Sequence, residues 1–276
     1  MSAMRKTIVT IALMATAIVS NAQELIPCEL EVTYSSTYSF KKEARQPQED
    51  MHVLQVGKDG RSRFYSQWSE RNDFVMDSLL SAGLDPMAMM QERKRMGVKS
   101  GQSYRVFKNI PSAGRLTYAD KFMEEMYYEE PMPAIDWQMT EGDTVIAEYS
   151  CQKAVGTFRG RTWTAWFSMD IPVGDGPWKL CGLPGLILKA SEADGYFSFT
   201  CIGISKGDGK SFSPLKTKRM TKASLRKMQE LKDMSVNDVR GMIQNTLGLD
   251  PGEIRDQNGE IFRQEKTELV FMETAE

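Results

Sequence analysis

Along the first strand-like stretch, Leu30, Val32, Tyr34, Tyr38 and Phe40 fall on one side, and Glu29, Glu31, Thr33, Ser35, Thr37 and Ser39 on the other. A period of two places successive side chains on opposite faces, the pattern of a strand with one face buried and one wet. Ser36 is the one polar residue on the apolar side. A one-sided strand of this length needs paired neighbours and a covering layer, so it commits the chain to a sheet.

Further segments read in the same way. Residues 41 to 50 form a polar loop, and Met51–Val56 and Ser62–Trp68 flank Lys58-Asp59-Gly60. Asp-Gly between two β-like runs is a hairpin signal, because Gly accepts the positive φ that the turn needs. Ser103–Asn109, Arg115–Lys121, Met123–Glu130, Val145–Cys151 and Thr162–Ile171 read as extended, the last with Trp163, Ala165, Phe167, Met169 and Ile171 on one face. Leu186–Ala190 and Tyr196–Ile204 flank Glu192-Ala193-Asp194-Gly195 as a second hairpin, with Phe197, Phe199 and Cys201 inward, and Glu268–Met272 reads as a last strand.

Two stretches read as helical. In 74–96, Val75, Leu79 and Leu80 share a helical face, and Asp85 caps a second short helix with Pro86 at its first position. Farther on, Thr221 caps a helix carrying Leu225, Met228 and Leu231. Ser235-Val236-Asn237-Asp238 opens another, with Val239, Met242, Ile243, Thr246 and Leu247 in one stripe, stopped by Gly248 and Pro251. The expected fold is mainly β (α+β): a strongly curved antiparallel sheet or partial barrel covered by two helical pairs. One domain is expected over 23–276, with helical insertions near 74–96 and 221–247.

The N-terminus predicts export. Arg5 and Lys6 precede an apolar run from Thr7 to Val19, and Ser20-Asn21-Ala22 puts small residues where a signal peptidase reads, so residues 1–22 are a signal peptide cleaved after Ala22. Cys28 follows Ile26-Pro27, the wrong setting for a lipid-accepting Cys. With no second long apolar run, no transmembrane helix is expected after signal removal. Loss of Arg5 and Lys6 leaves 33 basic and 37 acidic side chains, a formal charge of −4, which argues against a nucleic-acid partner. Cys28, Cys151, Cys181 and Cys201 allow two disulfides in three pairings, with Cys201 equally readable as a buried thiol in a strand.

The densest local pattern is Gly176-Pro177-Trp178-Lys179-Leu180-Cys181-Gly182-Leu183-Pro184-Gly185-Leu186-Ile187-Leu188. Leu183-Pro184-Gly185-Leu186 has the residues of a type II turn, with φ preset by Pro184 and a positive φ at Gly185. Gly174, Gly176 and Gly182 suit close approach to other backbone, and Trp178 supplies a large anchor. Gly182 to Ile187 resembles the hexapeptide of the GLPGLI family of exported proteins of Bacteroidota-type bacteria. Glu148–Ala154, Phe158–Phe167, Asp170-Ile171-Pro172 and Gly176-Pro177-Trp178 extend the likeness over about 145–190. The resemblance implies an envelope protein and transfers no catalytic residue.

Candidate chemistry is sparse. His52 is the one histidine, and no Gly-x-Ser-x-Gly elbow accompanies it. Glu124, Glu125, Glu129 and Glu130, with Tyr127, Tyr128 and Asp136, form an acidic aromatic stretch that reads as a solvated strand face. Met87, Met89 and Met90 are a weak metal site for Cu(I), and Met87 with Met90 on one helical face suits core packing instead. Arg159 and Arg161, flanking Gly160, suit a carboxylate or phosphate. Trp166 faces away from Trp163 and Phe167 and suits a recognition patch.

The candidate binding residues are therefore Arg159, Arg161, Trp166, Trp178, Pro184 and Gly185, with no catalytic residue and no cofactor. The expected function is that of a non-enzymatic protein of the periplasm or cell envelope. It would bind a small hydrophobic or peptidic ligand, or an outer-membrane protein. Copper handling by the methionines and a hydrolase of unknown type are the alternatives.

Overall fold

The computed structural model describes residues 24–44, 46–122, 124–238, 240–241, 244, 252 and 266–274. The predicted signal peptide and the body of the predicted 239–247 helix lie outside the described residues. Strands β1 (Ile26–Tyr38), β2 (Gln48–Gly57) and β3 (Ser62–Ser66) lead into helices α1 (Gln67–Ser81) and α2 (Pro86–Arg95). Then come β4 (Arg105–Lys108), β5 (Arg115–Lys121), β6 (Glu125–Pro131), β7 (Gln138–Ile146), β8 (Tyr149–Phe158) and β9 (Arg161–Ser168). The described chain continues through β10 (Leu186–Glu192), β11 (Phe197–Lys206), β12 (Ser211–Phe212), β13 (Thr221–Lys222) and α3 (Leu225–Asn237).

The strands form one open sheet in the order β13-β6-β5-β4-β3-β2-β1-β11-β10-β9-β8-β7, with β12 pairing β1 off this path. Every strand pairing is antiparallel except that of β13 with β6, so the sheet is mixed. β1 sits centrally, as its alternation requires: Val32, Tyr34 and Ser36 point inward while Ser35 is exposed. The inner faces of β1, β2, β3, β9, β10 and β11 meet in one apolar core with Trp163, Phe167, Trp178, Leu180, Ile187 and Phe199 at its centre. Both signalled hairpins form, with Gly60 at φ +75° and Gly195 at φ +79°.

Several boundaries differ from expectation, each for a local reason. The segment read as a strand from Val145 to Cys151 is a hairpin, turning at Ala147 (φ +49°) and Glu148 (φ +72°) between β7 and β8. Neither residue is a turn former, which is why the sequence hides the turn. The 62–68 strand ends at Ser66, whose hydroxyl accepts from Ser69 N at 3.0 Å and so caps α1, which starts at Gln67, seven residues ahead of Phe74. Ser224, not Thr221, caps α3, and Thr221 lies in β13. Ser235 to Asn237 complete α3 instead of opening a new helix. The last predicted strand is reduced to a single bridge, Lys41 to Leu269.

The methionine reading also changes. Met89 is the buried residue of α2, at 7% exposure, while Met87 and Met90 are 67% and 60% exposed. Arg93 lies four residues beyond Met89 and donates to Asn72 Oδ1 of α1 at 2.6 Å. Residues four apart share a helix face, so that contact turns Met89 inward and the other two outward. The four cysteines are free and buried, which removes the disulfide reading and leaves Cys201 as an inward thiol on β11.

The Pro-Gly corner works by close approach instead of by a type II turn. Leu186 N donates to Ile171 O at 3.0 Å, outside the turn, and the positive φ belongs to Gly182 (+93°), not to Gly185. A Cβ on Gly185 would lie 2.0 Å from Ser168 O and 2.6 Å from Ser168 C. Both neighbours are backbone atoms that cannot swing aside. Gly185→Ala is therefore expected to destabilise by about 1–3 kcal/mol, as overpacking does. Urea unfolding measures this, and a variant as stable as the parent would refute the steric account.

Candidate binding site

Two buried lysines fasten the Gly-rich motif. Pro177 to Leu180 turns tightly, with Leu180 N donating to Pro177 O at 3.1 Å and Trp178 held at φ +52°. The turn sends consecutive side chains in different directions. Trp178 enters the core against Trp163 (5.5 Å between ring centroids) and Phe158 (5.7 Å). Lys179 is 0% exposed, and its ammonium lies 5.7 Å from the Trp178 ring centroid.

Its ammonium donates to Tyr128 Oη at 2.7 Å and to both Glu273 oxygens at 2.6 and 2.7 Å, and lies 2.8 Å from Glu130 Oε1. The Tyr118 and Tyr128 rings also face it, at 5.2 and 4.9 Å. Tyr128 donates its own proton to Glu273 Oε1 at 2.9 Å. Burial, with Glu273 beside it, holds this phenol well above its ordinary pKa, so it stays protonated. Arg159 completes the cluster, 2.7 Å from Glu130 and 4.0 Å from Glu273. Two cations thus face two carboxylates.

The second lysine, Lys108 of β4, spends its three N–H groups on Asp175 Oδ1, Gly176 O (2.8 Å) and Leu180 O (3.0 Å). Ser62 donates to the other Asp175 oxygen at 2.6 Å. Lys108 therefore clasps the motif loop to the sheet, and Lys179 joins it to Glu273.

Glu273 belongs to a segment, Lys266–Thr274, that runs through a three-walled groove and bends at Met272 and Glu273. The first wall is the chain edge after β1, where Lys42 N donates to Glu268 O (3.0 Å) and Val270 N to Phe40 O (2.8 Å). The second wall is α3. Asn237 meets both main-chain groups of Thr267, donating to its O at 2.9 Å and accepting from its N at 2.7 Å, and Gln229 donates to Glu273 O at 2.7 Å. The third wall is the β8–β9 turn. Arg161 Nε donates to Phe271 O at 2.6 Å, and Thr274 N donates to Arg159 O at 3.1 Å. The side chains of Val270, Met272 and Glu273 are buried.

That third wall follows from its sequence. Arg159 (φ +50°) and Gly160 (φ +75°) make a two-residue turn with both φ values positive, the type I′ geometry that suits strand twist. A Cβ at Gly160 would also lie 2.5 Å from Thr274 Oγ1, so the exposed Thr274 side chain would have to turn aside. A pocket of about 40 Å³ remains between segment, sheet and α3, bordered by Phe40, Asp120, Trp178, Met228 and Lys232. Lys232 Nζ sits 3.3 Å from the Phe40 ring centroid, and burial brings its pKa down to about 8.

Of the residues singled out from sequence, Arg159, Arg161 and Trp178 meet here. Arg161 also binds Glu192 at 3.1 Å, so the basic turn is ion-paired instead of freely exposed. Trp166 lies on the other face of β9 beside Lys153, Pro184 is exposed, and Gly185 packs on Ser168, all apart from the groove. Met87, Met89 and Met90 do not face one point. The acidic stretch divides: Glu125 and Glu129 pair with Arg105 and Lys222, whereas Tyr128 and Glu130 turn inward to Lys179. Lys108, Asp175, Lys179, Asn237 and Glu273 belong to no sequence motif that marks a site. Lys179 between Trp178 and Leu180 was the available signal, as a charge set inside an apolar run.

His52 is sealed in the core. It stacks on Phe64 at 4.8 Å between centroids and on Tyr104 at 5.5 Å, and Ser36 Oγ lies 2.8 Å from its Nδ1. Ser36, the soft spot of β1, is thus its polar partner. Asp50 Oδ2 stands 3.7 Å from Nε2, so Ser, His and Asp are neighbours, but all three are buried. Burial lowers the His52 pKa to about 3. The neutral ring stabilises the fold fully above its ordinary pKa near 6.5, and that contribution is lost as pH falls towards 3, at about 1.4 kcal/mol per pH unit. His52→Gln should flatten the decline in unfolding free energy between pH 6 and pH 4. An unchanged slope would show that His52 does not drive it.

Comparison with known proteins adds little. The family described as "Protein of unknown function (Porph_ging)" matches residues 157–189, which hold β9, the motif and Lys179. No curated protein matches. Two solved structures, titled "Structure of PNGF-II" in the P21 and C2 space groups, each share 14% identity over 74% of this chain, with a TM-score of 0.46. The match covers 32% of their chain. Among the described residues, no helix is long and apolar enough to cross a membrane.

Proposed function

We propose that this is a non-enzymatic binding protein of the periplasm or cell envelope, and that its groove recognises an extended peptide, free or within a partner protein. One observation carries the reading. Main-chain groups of Lys266–Thr274 are met by side chains of α3 and the β8–β9 turn: Asn237 on Thr267, Gln229 on Glu273 and Arg161 on Phe271. Side-chain amides that grip main-chain N–H and C=O bind extended polypeptide whatever its sequence, and buried side-chain positions then add selectivity. Here those positions take apolar groups at Val270 and Met272, and a carboxylate at Glu273, where Lys179, Tyr128 and Arg159 gather. The likeness of Gly182–Ile187 to the GLPGLI hexapeptide supports the envelope location.

The test empties the groove in the full chain. Val270→Asp with Met272→Asp should expel the native segment. The variant should then bind a labelled synthetic peptide of sequence 266–276 in the micromolar range by fluorescence anisotropy. Replacing the Glu273 position of that peptide by Gln should weaken binding about 10- to 100-fold, the worth of a charged hydrogen bond. A folded variant that binds neither peptide overturns the reading. Should the double variant unfold, Glu273→Gln in the chain, which weakens the anchor alone, serves for the same titration.

A further inference from the structure

We infer that Lys266–Thr274 is a displaceable internal occupant of the groove, which yields it to a partner's extended segment of pattern apolar–any–apolar–acid. The inference rests on the peptide-binding reading and adds its regulation. It stands on how the segment is held. A strand integral to the sheet is bonded by ladders, as β1 is on both sides by β2 and β11. Lys266–Thr274 has one bridge, Lys41 to Leu269, and otherwise relies on side chains and single main-chain contacts. Lys266, Glu268 and Thr274 are exposed, so a third of its residues are already wet.

The buried part is a short code. Val270 and Met272 enter apolar contacts, and Glu273 meets a cation cluster that any carboxylate in the same position satisfies. Lys179 and Arg159 stay in place when the segment leaves, because the sheet and motif position them and Glu130 pairs with both. A vacated site is thus a preformed carboxylate receptor with one compensating charge left. Its adjoining pocket of about 40 Å³ leaves room for a larger apolar side chain than the native one.

The arithmetic allows exchange. A tethered segment competes at an effective concentration on the order of millimolar. With micromolar intrinsic affinity it is bound about 1000:1, against global unfolding ratios of roughly 10³–10⁸. A partner with better apolar side chains needs only to overcome that factor.

Two measurements on the full chain decide it. Hydrogen exchange should show the Thr267, Val270 and Thr274 amides opening at least tenfold faster than the β1 amides of Val32 and Tyr34. Lys42→Cys with Glu268→Cys places two thiols across the Lys41–Leu269 bridge. When oxidised, this chain should not bind the labelled 266–276 peptide, and reduction should restore binding at a Kd about 1000-fold above that of the emptied variant, in the millimolar range. Equal peptide binding in both redox states overturns the inference. So does segment exchange that occurs only through global unfolding. If that second result accompanies peptide binding by the emptied variant, the groove reading stands and only the displaceable occupant is lost.

Discussion

Replacing Lys179 by Ala is expected to lower the unfolding free energy by about 3–5 kcal/mol, the cost of breaking a buried ion pair from one side. The buried Glu273 and the partly buried Glu130 would be left at 2.6–2.8 Å from a vacant position, with Arg159 as the remaining cation nearby. Lys179→Met separates charge from volume. It fills the space but leaves the two carboxylates with Arg159 as their one cation, so it should cost nearly as much. Adding Glu273→Gln to Lys179→Met should recover about 1–3 kcal/mol, because contacting groups couple on that scale. Urea unfolding of the four chains closes the cycle. Additive losses would mean that the two side chains do not interact.

Lys108→Ala should be of similar size, about 3–5 kcal/mol, for a different reason. The loss strands the buried Asp175 carboxylate and two carbonyls, Gly176 O and Leu180 O, that share one ammonium. Lys108→Arg should fail to restore stability. The three acceptors converge on a compact charge, which a planar guanidinium does not match. An arginine variant as stable as the parent would show that the site needs only a positive charge. Of the two lysines, only Lys179 touches the extended segment. Loosening of that segment in Lys179→Met, but not in a chain altered at Lys108, would separate anchor from clasp.

How much of this was legible in the sequence depended on range. β1, the Asp59-Gly60 and Asp194-Gly195 turns and the Asp85-Pro86 cap follow from residues a few positions apart, and each formed where its pattern lies. The Ala147-Glu148 turn was invisible, because its positive φ values fall on residues that do not ordinarily adopt them. The buried ion pairs were hidden for a deeper reason. Lysine and glutamate read as surface residues unless their partners are known, and Lys179 meets Glu273 across 94 positions. Ser36 looked like a flaw in β1 until register placed it beside His52. Gly185 reads from sequence as the positive-φ residue of a type II turn, whereas in the fold close approach to Ser168 is what demands glycine.

On the proposed reading, Asn237, Gln229 and Arg161 recognise the main chain of a bound peptide. Nuclear magnetic resonance of the ¹⁵N-labelled Val270→Asp/Met272→Asp chain tests it most directly. On titration with the 266–276 peptide, the side-chain amide signals of Asn237 and Gln229 and the Arg161 Nε–H signal should shift together and saturate with one affinity. Signals that stay fixed while the peptide binds elsewhere, or while a folded chain fails to bind it, would contradict the account.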